Sequence, residues 1–155
     1  MACALEQAGR AFREGEVPVG AVLAIDGKAV AFGRNRSIAL ADPTAHAEIL
    51  ALREGAARMG NYRLTGSTLY VTVEPCAMCA GALVQARVKR LVYGADDPKA
   101  GFIRSLYPFL EDPRLNHRVE VTSGVLGEEC GEILRRFFQE RRKNAATEDP
   151  ESTEK

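Results

Sequence analysis

Apolar and polar positions alternate in blocks that set out the elements one after another. In residues Ala2 to Arg13, Ala4, Leu5, Ala8, Ala11 and Phe12 share one face with charges opposite, which predicts an amphipathic helix. Gly15 follows as a stop signal. Val17-Pro18-Val19-Gly20 leads into a strand expected over Ala21 to Ile25, and Asp26-Gly27 is a hairpin dipeptide, since both central positions of that turn need positive φ. A second strand is expected from about Lys28 to Gly33, then a polar loop ending at Asp42-Pro43. From His46 to about Met59, the residues Ile49, Leu52, Ala56 and Met59 fall at helical spacing, and Gly60-Asn61 ends the run.

The second half opens on Thr68 to Val73, rich in Thr, Val and Tyr and therefore a strand. Glu74-Pro75 breaks it, a helix is expected from about Ala77 to Arg87, and Leu91 to Tyr93 forms another strand. Strand, helix and strand in that order make a right-handed crossover between parallel strands. Ligands in such sheets sit beyond the carboxyl ends of strands, where Cys76 falls. Gly94 to Ser105 reads as a loop, Leu106 to Leu110 as a short apolar run broken by Pro108, and Val119 to Val121 as an edge strand. A long final helix is expected from about Gly127 to Lys143, with Cys130, Ile133, Leu134 and Phe137 on its inner face. One domain over 1–143 and a disordered acidic tail over 144–155 complete the expectation. The helix after Cys79 is apolar nearly all round, so it should be buried on more than one side; a second subunit, hence a homodimer, would cover it.

Composition adds limits. The 155 residues are 46% hydrophobic and 27% charged with zero formal net charge, so nucleic acid, if bound, must meet a local basic face. No run approaches the roughly 20 apolar residues of a membrane span, and the charged N-terminal segment does not read as a signal peptide. Two of the four cysteines are three apart and two are isolated, a pattern of reduced thiols in a cytoplasmic protein rather than of disulfides.

The chemistry lies in two short stretches, Pro43-Thr44-Ala45-His46-Ala47-Glu48 and Pro75-Cys76-Ala77-Met78-Cys79. Cysteines at i and i+3 share a helix face. In a first turn, unpaired N–H groups and the helix dipole favour thiolate, the metal-binding form. His46 and Glu48 are two apart, so both reach one site only if His46 is still in the entering turn while Glu48 leans back toward the helix N-terminus. His46, Cys76 and Cys79 make three ligands, which leaves the fourth position of a tetrahedral Zn2+ open for water; Glu48 then suits proton transfer. A structural zinc site is the alternative, and an all-cysteine version would require Cys3 and Cys130 to join the pair. On the final helix, Arg135, Arg136, Arg141, Arg142 and Lys143 cluster near Phe137 and Phe138, a combination suited to a splayed single-stranded RNA loop. The competing reading is a solvated charged face over core phenylalanines; Phe137 fits the core stripe, and Phe138 is open to either role.

The two stretches carry the H-x-E and P-C-x-x-C signature of zinc nucleobase deaminases. With Glu16-Val17-Pro18-Val19-Gly20-Ala21-Val22, Asn35-Arg36, Asn61-Tyr62-Arg63-Leu64, Leu69 to Glu74, Asn116-His117-Arg118 and the basic end of the last helix, the chain resembles the bacterial tRNA-specific adenosine deaminases from about Ala4 to Lys143. The resemblance implies a three-layer α/β/α fold of the cytidine deaminase type with a mixed five-stranded sheet. It also implies a homodimer, one zinc per subunit on His46, Cys76 and Cys79, and conversion of wobble adenosine to inosine in the anticodon loop of an arginine tRNA. Glu48 would take a proton from the activated water, pass it to adenine N1 and later protonate the departing ammonia. Asn35 would hydrogen-bond the flipped base, the backbone near Ala47 would line its pocket, and Asp97, rather than Asp96, would meet flanking nucleotides. Phe102-Ile103-Arg104-Ser105 is bulkier and more basic than the glycine-rich stretch usual there. Two other readings of the site stand beside this one. A deaminase of a free base or nucleotide, of guanine or cytosine type, would not need the basic helix. A non-catalytic zinc-stabilised interaction module would close the site with four ligands and give Glu48 no role.

Overall fold

In the computed structural model, which describes residues 1–148, Asp26 and Gly27 both adopt positive φ, 51° and 74°, and close the first hairpin as their residue types demand. The hairpin joins β1 (Gly20–Ile25) to β2 (Lys28–Arg34). The other elements are α1 (Ala2–Arg13), α2 (Ala47–Met59), β3 (Ser67–Val73), α3 (Ala77–Gln85), β4 (Arg90–Ala95), β5 (Glu120–Thr122) and α4 (Gly127–Glu148), with a 3-10 turn at Phe109–Glu111. The sheet has five strands in the order β2-β1-β3-β4-β5. β1 is antiparallel to β2 and β3, while β3, β4 and β5 run parallel, so the sheet is mixed as expected.

Small residues let the helices approach the sheet. On one side, a Cβ at Gly20 would collide with the backbone of Ala4 and Ala8 in α1, and one at Gly94 with Cys130 of α4. On the other, Gly33 abuts Ala47 and Ala51 of α2, and Leu23 fills the space left by Gly55. α1 and α4 therefore form one layer, joined by an edge-to-face contact of Phe12 and Phe137 at 5.6 Å, and α2 and α3 form the other. The core between them includes Leu23, Leu69, Val71, Leu83, Val88, Leu91 and Tyr93.

α3 and α4 depart from their expected bounds. α3 stops at Gln85 instead of Arg87, because Arg87 takes φ 59° and the Arg87 and Val88 N–H groups bond back to Val84 and Leu83, a left-handed helix end built without glycine. α4 runs on to Glu148, five residues past its expected end, since Ala145 and Ala146 favour helix and no breaker intervenes before Pro150. The rest of the expected tail, 149–155, lies outside the described residues. On α3, Cys79, Ala80, Leu83 and Val84 are buried, while Ala77, Met78 and Gln85 face outward, as they would on a side left for a second subunit. Among the described residues, no helix is long and apolar enough to cross a membrane.

Candidate active site

The site forms where α2 and α3 begin side by side. Asp42 accepts the Thr44 N–H (2.8 Å) and hydroxyl (2.7 Å), and this turn delivers the chain to His46. His46 is the N-cap of α2 in extended conformation (φ −76°, ψ 152°), so it lies outside the helix, as the spacing to Glu48 required. Cys76 is likewise the extended N-cap of α3 (φ −74°, ψ 177°), placed there by Pro75 at the end of β3, and Cys79 lies in the first turn. Two helix entries thus bring His46, Cys76 and Cys79 together.

His46 Nδ1 is 3.6 Å from each thiol sulfur, and the three donor atoms lie within 4.8 Å of one another. Tetrahedral zinc with ordinary Zn–N and Zn–S bonds separates N from S by about 3.5 Å. The set therefore fits such an ion in donor chemistry and in spacing. It is the one group of this kind among the described residues, and it holds neither Cys3, which is exposed, nor Cys130, which is buried against Gly94. The all-cysteine alternative is not what forms.

The electrostatics split the two thiols. Cys76 is lowered to about 4, chiefly because Cys79 shares a hydrogen bond with it and despite burial, with His46 adding to the effect. Cys79 is pushed far up, first by its bond to Cys76 and then by burial. His46 is raised by its contact with Cys76. Glu48, only 4% exposed, is raised by burial. It stands beside the three donors without joining them, and desolvation favours its protonated form.

Asn35 links the site to the sheet. Its N–H bonds the Val19 carbonyl (3.1 Å), and its Oδ1 accepts the Ala47 N–H (2.8 Å), the first amide of α2. The carboxamide is thereby oriented with its NH2 group left to donate. Ala47 is fully buried, backbone included, and its N–H is taken by Asn35.

A groove of about 1270 Å³ does not contain the His46-Cys76-Cys79 group. It runs between the loop after β4 and the outer face of α4, and its inner wall includes Val19 and Val73, next to the segments that carry Asn35 and Cys76. The geometry of the three donors, rather than this groove, marks the chemical centre. Asp97, Phe138 and Arg142, singled out separately in the sequence, all line it, as do Asp96 and Lys99. Arg141 does not: its guanidinium donates to the Gly15 carbonyl and lies 4.9 Å over the Phe137 ring. Phe137 is 4% exposed and Phe138 44%, so the first is core and the second is free to meet a ligand. Asp97 has local work as well, accepting the Lys99 and Ala100 N–H groups, while Asp96 accepts the Tyr93 hydroxyl.

Sequence reasoning passed over two buried carboxylates. Glu16, 2% exposed, accepts the Ile38 and Ala39 N–H groups and holds the loop between Asn35 and His46. Glu74, 3% exposed, anchors the loop after β4. The available signal was a glutamate next to a Val-Pro or Pro segment at a strand end, where a charged side chain has no reason to be unless it is bonded. His117 Nε2 donates to the Val88 carbonyl (2.7 Å) and so ties down the segment before β5.

Comparison with known proteins gives a consistent result. The family model for MafB19-like deaminases matches residues 1–142. A tRNA-specific adenosine deaminase of Haemophilus influenzae is 56% identical over 149 residues, covering 96% of this chain and 86% of that protein. One of Bacillus subtilis is 49% identical over 140 residues, covering 90% and 87%. A solved structure from work on A-to-I editing by tRNA:A34 deaminases superposes with a TM-score of 0.84 at 47% identity, over 86% of this chain and 97% of the other.

Proposed function

The chain belongs to the family of tRNA-specific adenosine deaminases, and on that premise we propose that it hydrolyses adenosine to inosine at the wobble position of a tRNA, with zinc on His46, Cys76 and Cys79. The observation that carries the reading is the set of three donors with a fourth group, the buried carboxyl of Glu48, beside it. A zinc ion bound there would lower the pKa of a water molecule enough for it to act as nucleophile at neutral pH. Glu48 holds the proton that adenine N1 needs as C6 is attacked, and returns one to the amine as the C6–N bond breaks and ammonia leaves. Asn35, fixed by Ala47, donates to the extruded base. A base must leave its stack to reach such a centre, and the loop nucleotides around it need support. The groove offers this in Phe138 for stacking and Arg142 for phosphate, while Asp97 shapes the wall. The flanking-segment resemblance supports an arginine tRNA as substrate, and the outward face of α3 around Met78 supports a homodimer.

The test is inosine formation in an anticodon stem-loop bearing A34, beside free adenosine, guanine and cytidine, with zinc content measured on the same sample. The reading requires turnover of the stem-loop. Turnover of a free base alone would replace it with the small-molecule deaminase.

A further inference from the structure

Glu74 is the last group before Pro75-Cys76, and its carboxylate is used completely. Oε1 accepts the Asp97 N–H (3.0 Å) and the Ser105 hydroxyl; Oε2 accepts the N–H groups of Ile103 (3.1 Å), Arg104 (2.8 Å) and Ser105 (3.0 Å). Burial pushes this carboxyl up, yet the bonds from Ser105, Arg104 and Asp97 outweigh it and bring it down to about 2. An ionised carboxylate offers about four lone-pair sites, so five donors leave no capacity for a metal or a proton-transfer role. Gly101 presses on the same carboxylate, and a Cβ there would collide with it. The loop is pinned a second time by Phe102, whose N–H bonds the Pro75 carbonyl (2.8 Å).

The 97–105 loop therefore folds around one side chain. One end of it, Asp97 to Lys99, is a wall of the groove. The other end, Phe102, is bonded to the residue next to Cys76. One buried carboxylate thus ties the groove wall at Asp97 and the segment at Phe102, beside Cys76, to a single point. The geometry points to Glu74 as a positioning residue for substrate: it fixes the groove wall at a set distance from Cys76, so that nucleotides gripped in the groove deliver the target base to the donor set. This rests on the RNA deaminase reading above.

The experiment uses the full-length, zinc-loaded protein with Glu74→Gln and Gly101→Ala, which disturb the same contact from its two sides. Metal content, amide hydrogen exchange, and kcat and KM for the A34 stem-loop are measured on each. The expected result is full metal content, faster exchange at Asp97, Ile103, Arg104 and Ser105, and a KM raised about tenfold or more with kcat nearly unchanged. A merely structural anchor would speed exchange or lower Tm without moving the KM of the folded enzyme, and that outcome overturns the inference. So does unchanged exchange. If Glu74→Gln does not fold, Gly101→Ala decides, since its added methyl displaces the carboxylate without removing any hydrogen-bonding group. Wild-type protein that forms no inosine overturns the RNA reading and this inference together; active wild type beside variants of unaltered KM overturns this inference alone.

Discussion

The entry to α3 and the outer face of α4 both gather groups that could serve a substrate, but they are built in opposite ways. At α3, donors from two chain segments 30 residues apart meet because two extended N-caps and the β3 end leave them nowhere else to point. On α4, the basic residues lie on one exposed helix and need no tertiary contact to be neighbours. Convergence of distant groups marks a site, whereas clustering along one helix does not. Neighbours in sequence are about 100° apart around a helix, and Arg141 and Arg142 separate accordingly: one folds back on Phe137 and Gly15, the other lines the groove.

The sharpest way to break this contrast is to remove one donor at α3. Cys76→Ala should lose stoichiometric zinc and lower inosine formation by far more than about 100-fold, the loss typical of groups that only support a ligand. Metal analysis and stem-loop turnover on the same preparation check it; retained zinc would remove Cys76 as a ligand. Next in size is Glu48→Gln, which should keep the metal and still cost about 100- to 10,000-fold in kcat, the range for a proton-transfer group. Full activity with full zinc would end the proton-carrier assignment.

These two regions were also unequally legible. The hairpin at Asp26-Gly27, the parallel β3 and β4 and the His46-x-Glu48 entry could be read because turn chemistry and period are local properties. The three donors could be grouped because their types admit few other uses together. What stayed hidden was long-range. Nothing near Glu16 or Glu74 announces which distant amides they will accept, for 22 and 31 residues separate the partners. The fate of Arg141 was equally invisible, since its carbonyl partner, Gly15, is 126 residues away. The end of α3 at Gln85 and the run of α4 past Lys143 differed because a left-handed arginine and a polar but helix-favouring segment carry no glycine or proline there to mark a stop or its absence.

Adjacent phenylalanines offer a second way to sharpen the contrast. Phe138→Ala removes a half-exposed ring from the groove and should raise stem-loop KM about tenfold, the scale of one lost base stack, with Tm nearly unchanged. Phe137→Ala should do the reverse. It empties a buried position against Phe12, and a loss of about 3 kcal/mol or more of stability is expected, read by denaturant unfolding. The same KM shift in both would mean that the two rings share one role.

The smallest effect is the most discriminating, because the two arginines are alike in everything but direction. Arg142→Gln should weaken RNA binding a few-fold and make the log–log salt dependence shallower by about 0.7, the contribution of one phosphate contact on a single strand. Arg141→Gln should leave that slope alone: its charge is committed to the Gly15 carbonyl and the Phe137 ring, so the loss should appear as about 0.5–1 kcal/mol of stability. Titrating stem-loop binding against salt for both variants gives two slopes to compare. Equal slopes would mean that the final helix attracts RNA by summed charge, and the groove would then have no claim to hold the strand in register with Cys76. Unequal slopes, with Arg142 alone shifted, tie the basic helix to the chemical centre through one wall of the groove.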